Sequence, residues 1–113
     1  MIKLPSKVPQ VGFYYHYKHD PNGPVENYAY EFLSVQFDTE KDAVWKINYR
    51  PLYKEAGVYQ ASLALGVPCT DGRPLEMWME NVEKDDKTVP RFEKITDPVV
   101  FAELVKIRDE MYM

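Results

Sequence analysis

The sequence predicts a mainly β domain that ends in an amphipathic α-helix. Three observations support this fold class: short strands with alternating apolar side chains, polar turns between them, and a helical apolar pattern near the C-terminal end. Runs of strands followed by one helix are typical of a sheet that packs against that helix. A length of 113 residues suits one domain, which we expect to span 1–113.

The first predicted strand covers 11–18 and is rich in β-forming aromatic side chains. Alternation places Tyr14 and His16 on one face of this strand. The opposite face carries Phe13, Tyr15 and Tyr17. Because this second face is entirely aromatic, we expect it to be the core face. Tyr14 and His16 are then free to line a groove.

Two further strands are predicted at 28–37 and 43–49, joined as a hairpin by the polar loop 38–42. A turn with the sequence HDPNGP separates the first of them from the preceding strand. Alternation along 28–37 divides its apolar side chains between two faces, with Leu33, Val35 and Phe37 on one and Tyr30 and Phe32 on the other. Apolar residues on both faces are typical of a strand in a small closed barrel or beneath a helix.

The middle of the chain is less regular. Residues 58–69 are apolar with weak periodicity, which leaves a short helix and a buried strand as alternatives. Residues 75–80 can form one helical turn. Strands at 82–84 and 88–95, on either side of a charged turn, predict a closing hairpin.

The C-terminal segment 97–112 is the clearest element. Asp97 can cap the N-terminus of a helix, and Pro98 suits its first turn. Apolar side chains then recur at helical spacing, at Val100, Phe101, Leu104, Val105 and Met111. This pattern predicts an amphipathic helix packed on the sheet.

Composition excludes several classes of protein. The net charge is −4, which disfavours a general duplex-DNA binder because such binding depends on neutralising phosphates. No apolar run is long enough to span a membrane, and the first ten residues lack the apolar stretch of a signal peptide. The single cysteine excludes an internal disulfide framework and favours a cytoplasmic location.

Five short patterns occur in a fixed order along the chain. They are Gly12-x-Tyr14-x-His16-Tyr17-Lys18, Tyr30-Glu31-Phe32-Leu33-Ser34-Val35, Tyr49-Arg50-Pro51-Leu52-Tyr53, Arg73-Pro74-Leu75-Glu76-Met77-Trp78 and Val89-Pro90-Arg91-Phe92. A chain with these patterns together, in this order, resembles the small bacterial family known as domain of unknown function 1653. The resemblance implies a small SH3-like β-barrel over 11–95, and the C-terminal helix predicted over 97–112 lies outside the shared region. It implies no activity, because that family has none established.

The chain departs from the family pattern mainly in its connections. The loop 19–28 is longer than usual, and most of 61–71 is additional. The turn at Asp85-Asp86-Lys87 stands where the family usually places a glycine. Since loops carry function on a rigid scaffold, a ligand of the family is not transferred to this chain.

An aromatic and arginine set is the best candidate for a ligand-binding site. The candidate residues are Tyr14, His16, Tyr49, Arg50, Arg73 and Arg91, with Tyr53 and Trp78 as further walls of a shallow groove. Aromatic faces beside arginine suit peptides, anionic small molecules or unpaired bases. The alternative is structural: the aromatic side chains fill the core, and the arginines bind loop carbonyls or carboxylates such as Glu31 and Glu76.

Catalytic and metal sites have little support. His16 and His19 lie three residues apart on a strand and its turn, without a cysteine nearby, so we expect no metal and no cofactor. Cys69 follows a proline in an apolar stretch and has no adjacent base. No serine lies in a nucleophile-elbow pattern, and no glycine-rich phosphate loop is present. No catalytic residue is therefore assigned.

A non-catalytic binding or interaction module is the function that these observations favour. The partner is left open between a protein and a small anionic ligand, with no membrane involved. Two alternatives remain. One is a contact with single-stranded nucleic acid or a ribonucleoprotein, which the net charge disfavours and which requires Lys18, Arg50, Arg73 and Arg91 on one face. The other is a small nucleotide- or peptide-directed enzyme, which requires a deep pocket where His16 and carboxylates converge.

Overall fold

The computed structural model describes residues 2–41 and 44–112. Within them the elements are, in chain order, β1 (Gly12–His16), β2 (Ala29–Phe37), β3 (Trp45–Pro51), α1 (Gly57–Leu65), β4 (Asp71–Pro74), α2 (Leu75–Trp78), β5 (Asn81–Lys84), β6 (Lys87–Pro90), β7 (Phe92–Lys94) and α3 (Pro98–Tyr112). The predicted fold class, mainly β with a C-terminal helix, is confirmed. One end of the expected third strand, Ala43, lies outside the described residues.

Five of the strands form one antiparallel sheet in the order β4-β3-β2-β1-β7. Strands β5 and β6 pair separately as a hairpin. Since β4 and β7 remain the two edges of the larger sheet, the described strands do not close into a barrel. The closed barrel expected from the family resemblance is therefore not confirmed.

A register shift in β2 changes which side chains share a face. Phe32 pairs with Tyr49, but beyond the shift Val35 pairs with Ile47. The extra residue, Leu33, reverses the alternation, as a β-bulge does. Val35 therefore packs on the same side of the sheet as Phe32. The predicted division of β2 into two opposed apolar sets is wrong for this reason.

The sheet carries an apolar cluster on each side. The front cluster contains Tyr14, Phe32, Ile47, Tyr49, Leu75, Trp78 and Phe92. The back cluster contains Phe13, Ala29, Leu52, Ile95 and Leu104, so that α3 covers this side. Tyr14 is only 5 % exposed. The expectation that only the Phe13 face is core is thus wrong, because an open sheet covered on both sides buries both faces of β1.

The helices follow local signals. Helix α1 resolves the ambiguous segment as helix, and it ends at Gly66 with φ 73°, a left-handed conformation that glycine adopts without a steric cost. Helix α2 is the single turn expected there. At the start of α3 the Oδ1 atom of Asp97 accepts a hydrogen bond of 2.9 Å from the N–H of Val99. The predicted cap is confirmed. None of the helices in the described ranges is long and apolar enough to cross a membrane.

The closing hairpin is shorter than predicted. Its two central turn residues, Asp85 and Asp86, have φ 53° and 64°. Two residues at positive φ are typical of the primed turns that match the twist of paired strands. The chain leaves the hairpin after β6, and β7 then pairs with β1 instead. The segment expected as one strand, 88–95, is therefore divided between two sheets.

Candidate functional site

The front of the sheet is covered only in part. Trp78 of α2 stacks on Phe92 with their ring centroids 3.7 Å apart and their planes at 5°. The same indole meets Tyr14 and Tyr49 edge-on at 5.4 and 4.9 Å. These contacts bury the centre of the front cluster. Side chains that lie beyond the indole remain partly accessible.

Six of these accessible side chains form what we call the tyrosine–arginine face. They are His16 on β1, Tyr28 before β2, Tyr30 on β2, Tyr53 after β3, and Asp71 and Arg73 on β4. Strand pairing brings them together from distant parts of the sequence. Tyr30 lies opposite Tyr14 on β1, and Asp71 lies opposite Tyr49 on β3.

Three tyrosines and His16 form a connected aromatic edge. The ring of His16 lies 5.7 Å from that of Tyr28, and Tyr28 lies 6.4 Å from Tyr53. The hydroxyls of Tyr30 and Tyr53 are joined by a hydrogen bond of 2.5 Å. Burial raises the pKa of both phenols, and the carboxylate of Asp71 raises them further. Both hydroxyls thus keep their protons; one proton is used in their mutual hydrogen bond, and the other can be donated to a ligand.

Tyr28 adopts a backbone conformation that is unusual for a residue with a bulky side chain. Its φ is 53°, and its side chain is among the exposed large rings of the chain. The left-handed conformation costs an L-residue about 1–2 kcal/mol. A hydrogen bond of 3.0 Å from the N–H of His16 to the carbonyl of Tyr28 holds this conformation. Such a conformation persists only where the surrounding structure enforces it.

The charged pair on β4 supplies the polar end of the face. The Nε of Arg73 donates to the hydroxyl of Tyr49 at 3.3 Å, and its guanidinium lies 5.5 Å from the ring centroid of Phe92. Burial raises the pKa of Asp71, and the positive charge of Arg73 opposes that rise. The two side chains therefore place a planar donor beside a half-buried acceptor.

His16 is an uncharged hydrogen-bond donor at neutral pH. Its Nδ1 accepts a hydrogen bond of 3.2 Å from the backbone N–H of Lys18, which leaves the ring proton on Nε2. Burial lowers the pKa of His16 to about 4, and the positive charges of Arg73, Lys18 and Arg91 lower it in the same direction. The imidazole consequently adds no charge to a site that already holds several cations.

The structure brings together part of the predicted site and separates the rest. His16 and Arg73 share the tyrosine–arginine face, and Tyr49 forms its floor. Tyr14 and Tyr49 are themselves buried in the front cluster, so they do not line an open groove. The structural alternative, in which aromatic side chains fill the core, describes these two residues.

The two remaining arginines differ in position. Arg91 lies close enough to His16 to lower its pKa, and its Nη2 bonds to Glu80 at 2.7 Å. Its Nε is buried and has no hydrogen-bond partner within the described ranges. Arg50 lies on the back of the sheet instead, where its Nε bonds to Glu31 at 2.8 Å. Alternation along β3 puts Arg50 opposite in direction to Tyr49, so its predicted place beside Arg73 is wrong.

Sequence reasoning did not assign Tyr28, Tyr30 or Asp71 to the site. Tyr30 carried a usable signal, because an antiparallel hairpin between the first two strands places it next to Tyr14. Asp71 carried none, since the segment before it had no assigned structure and only the pairing of β4 with β3 brings it near Tyr49. These omissions have one cause: the alternation of residues along a strand does not show which other strand it pairs with.

The tyrosine–arginine face is a shallow surface. The cavities of about 500 and 270 Å³ are lined by residues outside this face, and the cavity of about 190 Å³ includes only Tyr53 of the six residues of the face. In the part of the chain that the structure describes, no group of three His, Cys, Asp or Glu residues is placed to hold a metal. The face can thus bind by stacking and hydrogen bonding.

Comparisons with known proteins agree with this fold. Residues 12–94 match the family described as "Protein of unknown function (DUF1653)". A crystal structure described as that of a DUF1653 protein from Bordetella bronchiseptica is similar at 27 % identity and a TM-score of 0.55, over 76 % of this chain and 86 % of that chain. A comparison with curated proteins gave no match. Since the match covers most of the fold, from β1 to β7, this chain belongs to the DUF1653 family.

Proposed function

We propose that this protein is a binding module whose tyrosine–arginine face holds a small ligand with a planar ring and an anionic group. The observation that carries the proposal is the grouping of His16, Tyr28 and Tyr53 beside Arg73 on a half-exposed surface. Aromatic rings offer a stacking surface, and a guanidinium offers paired donors to a carboxylate or phosphate. The covered remainder of the front cluster supplies a rigid floor.

Charge supports an anionic ligand. Lys18, Arg73 and Arg91 all act on His16, and His16 is itself neutral. Asp71 is the acidic member of the face, and its raised pKa reflects the cost of keeping it charged where it is half-buried. A ligand that combines a ring N–H with an anionic group can therefore satisfy Asp71 and Arg73 together.

The test is a binding titration with uridine and guanosine monophosphates as probes, since each has a ring N–H and a phosphate, followed by NMR of the full chain. We expect resonances of His16, Tyr28 and Tyr53 to shift, with weaker effects from the uncharged nucleosides and from inorganic phosphate. Arg73→Lys keeps the charge but loses the planar fork, and it should weaken binding about tenfold, which is about 1.4 kcal/mol. The matched control is Arg50→Lys on the back of the sheet, which should leave affinity unchanged.

A result against the proposal is equally clear. It fails if none of the anionic probes shifts these resonances at millimolar concentration. It also fails if Arg50→Lys weakens binding as much as Arg73→Lys does, because the ligand would then lie on the other face. Thermal melting of both variants separates lost binding from lost folding.

A contact with unpaired nucleic acid is the second candidate. Three of the four cations that this hypothesis requires, Lys18, Arg73 and Arg91, lie close enough to His16 to lower its pKa, whereas Arg50 pairs with Glu31. Stacking of a base on an aromatic side chain contributes about 1–3 kcal/mol. A ten-nucleotide single strand should then bind much more tightly than a monophosphate, and its affinity should fall steeply with salt. Equal affinities for both probes favour the small ligand.

The small-enzyme alternative has less support. It requires a deep pocket around His16, whereas the cavities described above are lined by other residues. It also requires a proton acceptor, but the Nδ1 of His16 already accepts from Lys18 and its Nε2 holds the proton. The imidazole therefore suits binding better than general-base catalysis.

The proposal retains four expectations from the sequence. They are one domain over 1–113, strands arranged as in an SH3-like fold, a bacterial source and a cytoplasmic location. The family resemblance supports the second and third, and the single cysteine supports the last.

A further inference from the structure

We call the segment that leads into β1, residues 2–10, the N-terminal arm. The arm contains no helix or strand, and within the described ranges no backbone hydrogen bond joins it to the sheet. Two aromatic side chains bind its carbonyls instead. The indole Nε1 of Trp45 donates to Lys3 at 2.9 Å, and the hydroxyl of Tyr14 donates to Gln10 at 2.6 Å.

Attachment through backbone carbonyls resembles the binding of a proline-containing peptide. An extended chain of the polyproline II type has no internal hydrogen bonds, so its carbonyls are free to accept from a partner. Pro5 and Pro9 favour such a backbone. Aromatic grooves that bind proline-containing segments use this same chemistry.

The arm passes beside a cavity of about 500 Å³, which we call the Trp45 cleft. Besides the arm, the cleft is lined by Val44, Trp45, Pro74, Leu75 and Glu76. Phe37 supports the indole edge-on, with a centroid distance of 5.0 Å. The cleft is therefore a built aromatic surface that the arm fills incompletely.

The arm is held weakly by apolar contacts. Leu4 is 73 % exposed, and Ile2 and Val8 are also exposed. Since apolar burial stabilises a contact in proportion to the area removed from water, these side chains add little to the attachment. A segment of the same type from another protein can therefore compete with the arm for the cleft.

Charge indicates what such a segment must carry. The arm contains Lys3 and Lys7 but no acidic residue, whereas the cleft includes Glu76 and the whole chain has a net charge of −4. We propose that the Trp45 cleft is a docking site for an extended lysine- and proline-containing segment of a partner protein, with the N-terminal arm as its resident occupant. This surface is distinct from the tyrosine–arginine face.

The test uses a synthetic peptide with the sequence of the arm, IKLPSKVPQ, added to the full chain. The readout is the NMR resonance of the Trp45 indole N–H. We expect a saturable shift, and at least about tenfold tighter binding in a full-length Leu4→Gly/Pro5→Gly variant, because its own arm competes less well. If that variant is destabilised, titration of the peptide into the unsubstituted chain still tests the proposal, because the saturable shift is expected there as well.

Two controls and three further outcomes complete the experiment. A peptide with both prolines replaced by alanine, and a Glu76→Gln variant that loses the acidic group of the cleft but keeps the Trp45 reporter, should each weaken binding. No shift at millimolar peptide, or an equal shift with the alanine peptide, would overturn the proposal. Concentration-dependent self-association of the unsubstituted chain, with the same indole shift, would identify a second copy's arm as the occupant and overturn the partner assignment.

Discussion

His16 shows how the environment of one side chain defines its chemistry. Its position at the end of β1 places the ring against Phe92 at 5.1 Å and within reach of three cations. Both burial and positive charge disfavour the imidazolium, so the folded chain resists protonation until the pH is near 4. A residue whose ordinary pKa is 6.5 is thus held neutral across the physiological range.

This shift has a consequence for stability. Between pH 6.5 and about 4 the unfolded chain binds a proton at His16 that the folded chain does not. The free energy of unfolding should therefore decrease as the pH falls through this window, and this loss should be absent from His16→Gln. Urea unfolding at a series of pH values measures the difference between the two chains. A difference between the two chains that does not change with pH would contradict the prediction.

Trp78 is the side chain on which the front cluster depends. It is 2 % exposed and contacts four other aromatic rings. Trp78→Ala should lower the free energy of unfolding by about 3–5 kcal/mol, because it leaves a large cavity. Met77→Ala, on the exposed side of the same helical turn, should change it by less than about 0.5 kcal/mol. Chemical denaturation checks both, and similar losses in the two variants would show that the indole does not carry the packing.

At the scale of elements, the β5–β6 hairpin contains a correctable turn. Asp86 has φ 64°, a conformation that costs an L-residue roughly 1–2 kcal/mol. Asp86→Gly removes that cost but loses roughly 0.5–1 kcal/mol of backbone entropy. We expect a net stabilisation of about 0.5 kcal/mol, measured by urea unfolding. Thr88→Gly, in the neighbouring strand, should instead destabilise, and a loss of stability in Asp86→Gly would contradict the turn assignment.

Helix α3 covers the back of the sheet mainly through Leu104, which has no exposed surface. Leu104→Ala should cost about 2–5 kcal/mol if this contact stabilises the whole fold. Val99, at the start of the same helix, is exposed, so Val99→Ala should change stability by less than about 0.5 kcal/mol. An unchanged melting temperature in Leu104→Ala would instead indicate that the helix is available to a partner.

At the scale of the whole molecule, we expect the fold to need no metal. The two histidines and the single cysteine each form a hydrogen bond with a different part of the backbone: His16 with Lys18, His19 with Asn27, and Cys69 with Val67. Elemental analysis of the purified, untagged protein should therefore find well below one zinc or iron atom per chain. One retained metal atom per chain, with unfolding on chelation, would contradict this expectation.

Much of the architecture could be predicted because its causes are local. The Asp97 cap, the alternation of Trp45, Ile47 and Tyr49, and the turn at Asp85 all depend on residues a few positions apart. The candidate site could be predicted only in part. His16 and Arg73 were identified, whereas Tyr30 and Asp71 were not, because their place beside the others depends on pairing between distant strands.

The sequence by itself determined the mainly β class and the C-terminal helix, and it predicted His16 and Arg73 as residues of a candidate site. Only the tertiary structure decided which side of the sheet each residue occupies. One inserted residue at Leu33 reverses the alternation of β2, and covers on both sides of the sheet bury Phe13 and Tyr14 alike. Arg50 and Arg73 lie on opposite sides of the sheet. Arg73 pairs with Ile47 of the front cluster, whereas Arg50 follows Tyr49 on β3 and therefore points to the back, because successive side chains of a strand alternate between its two faces.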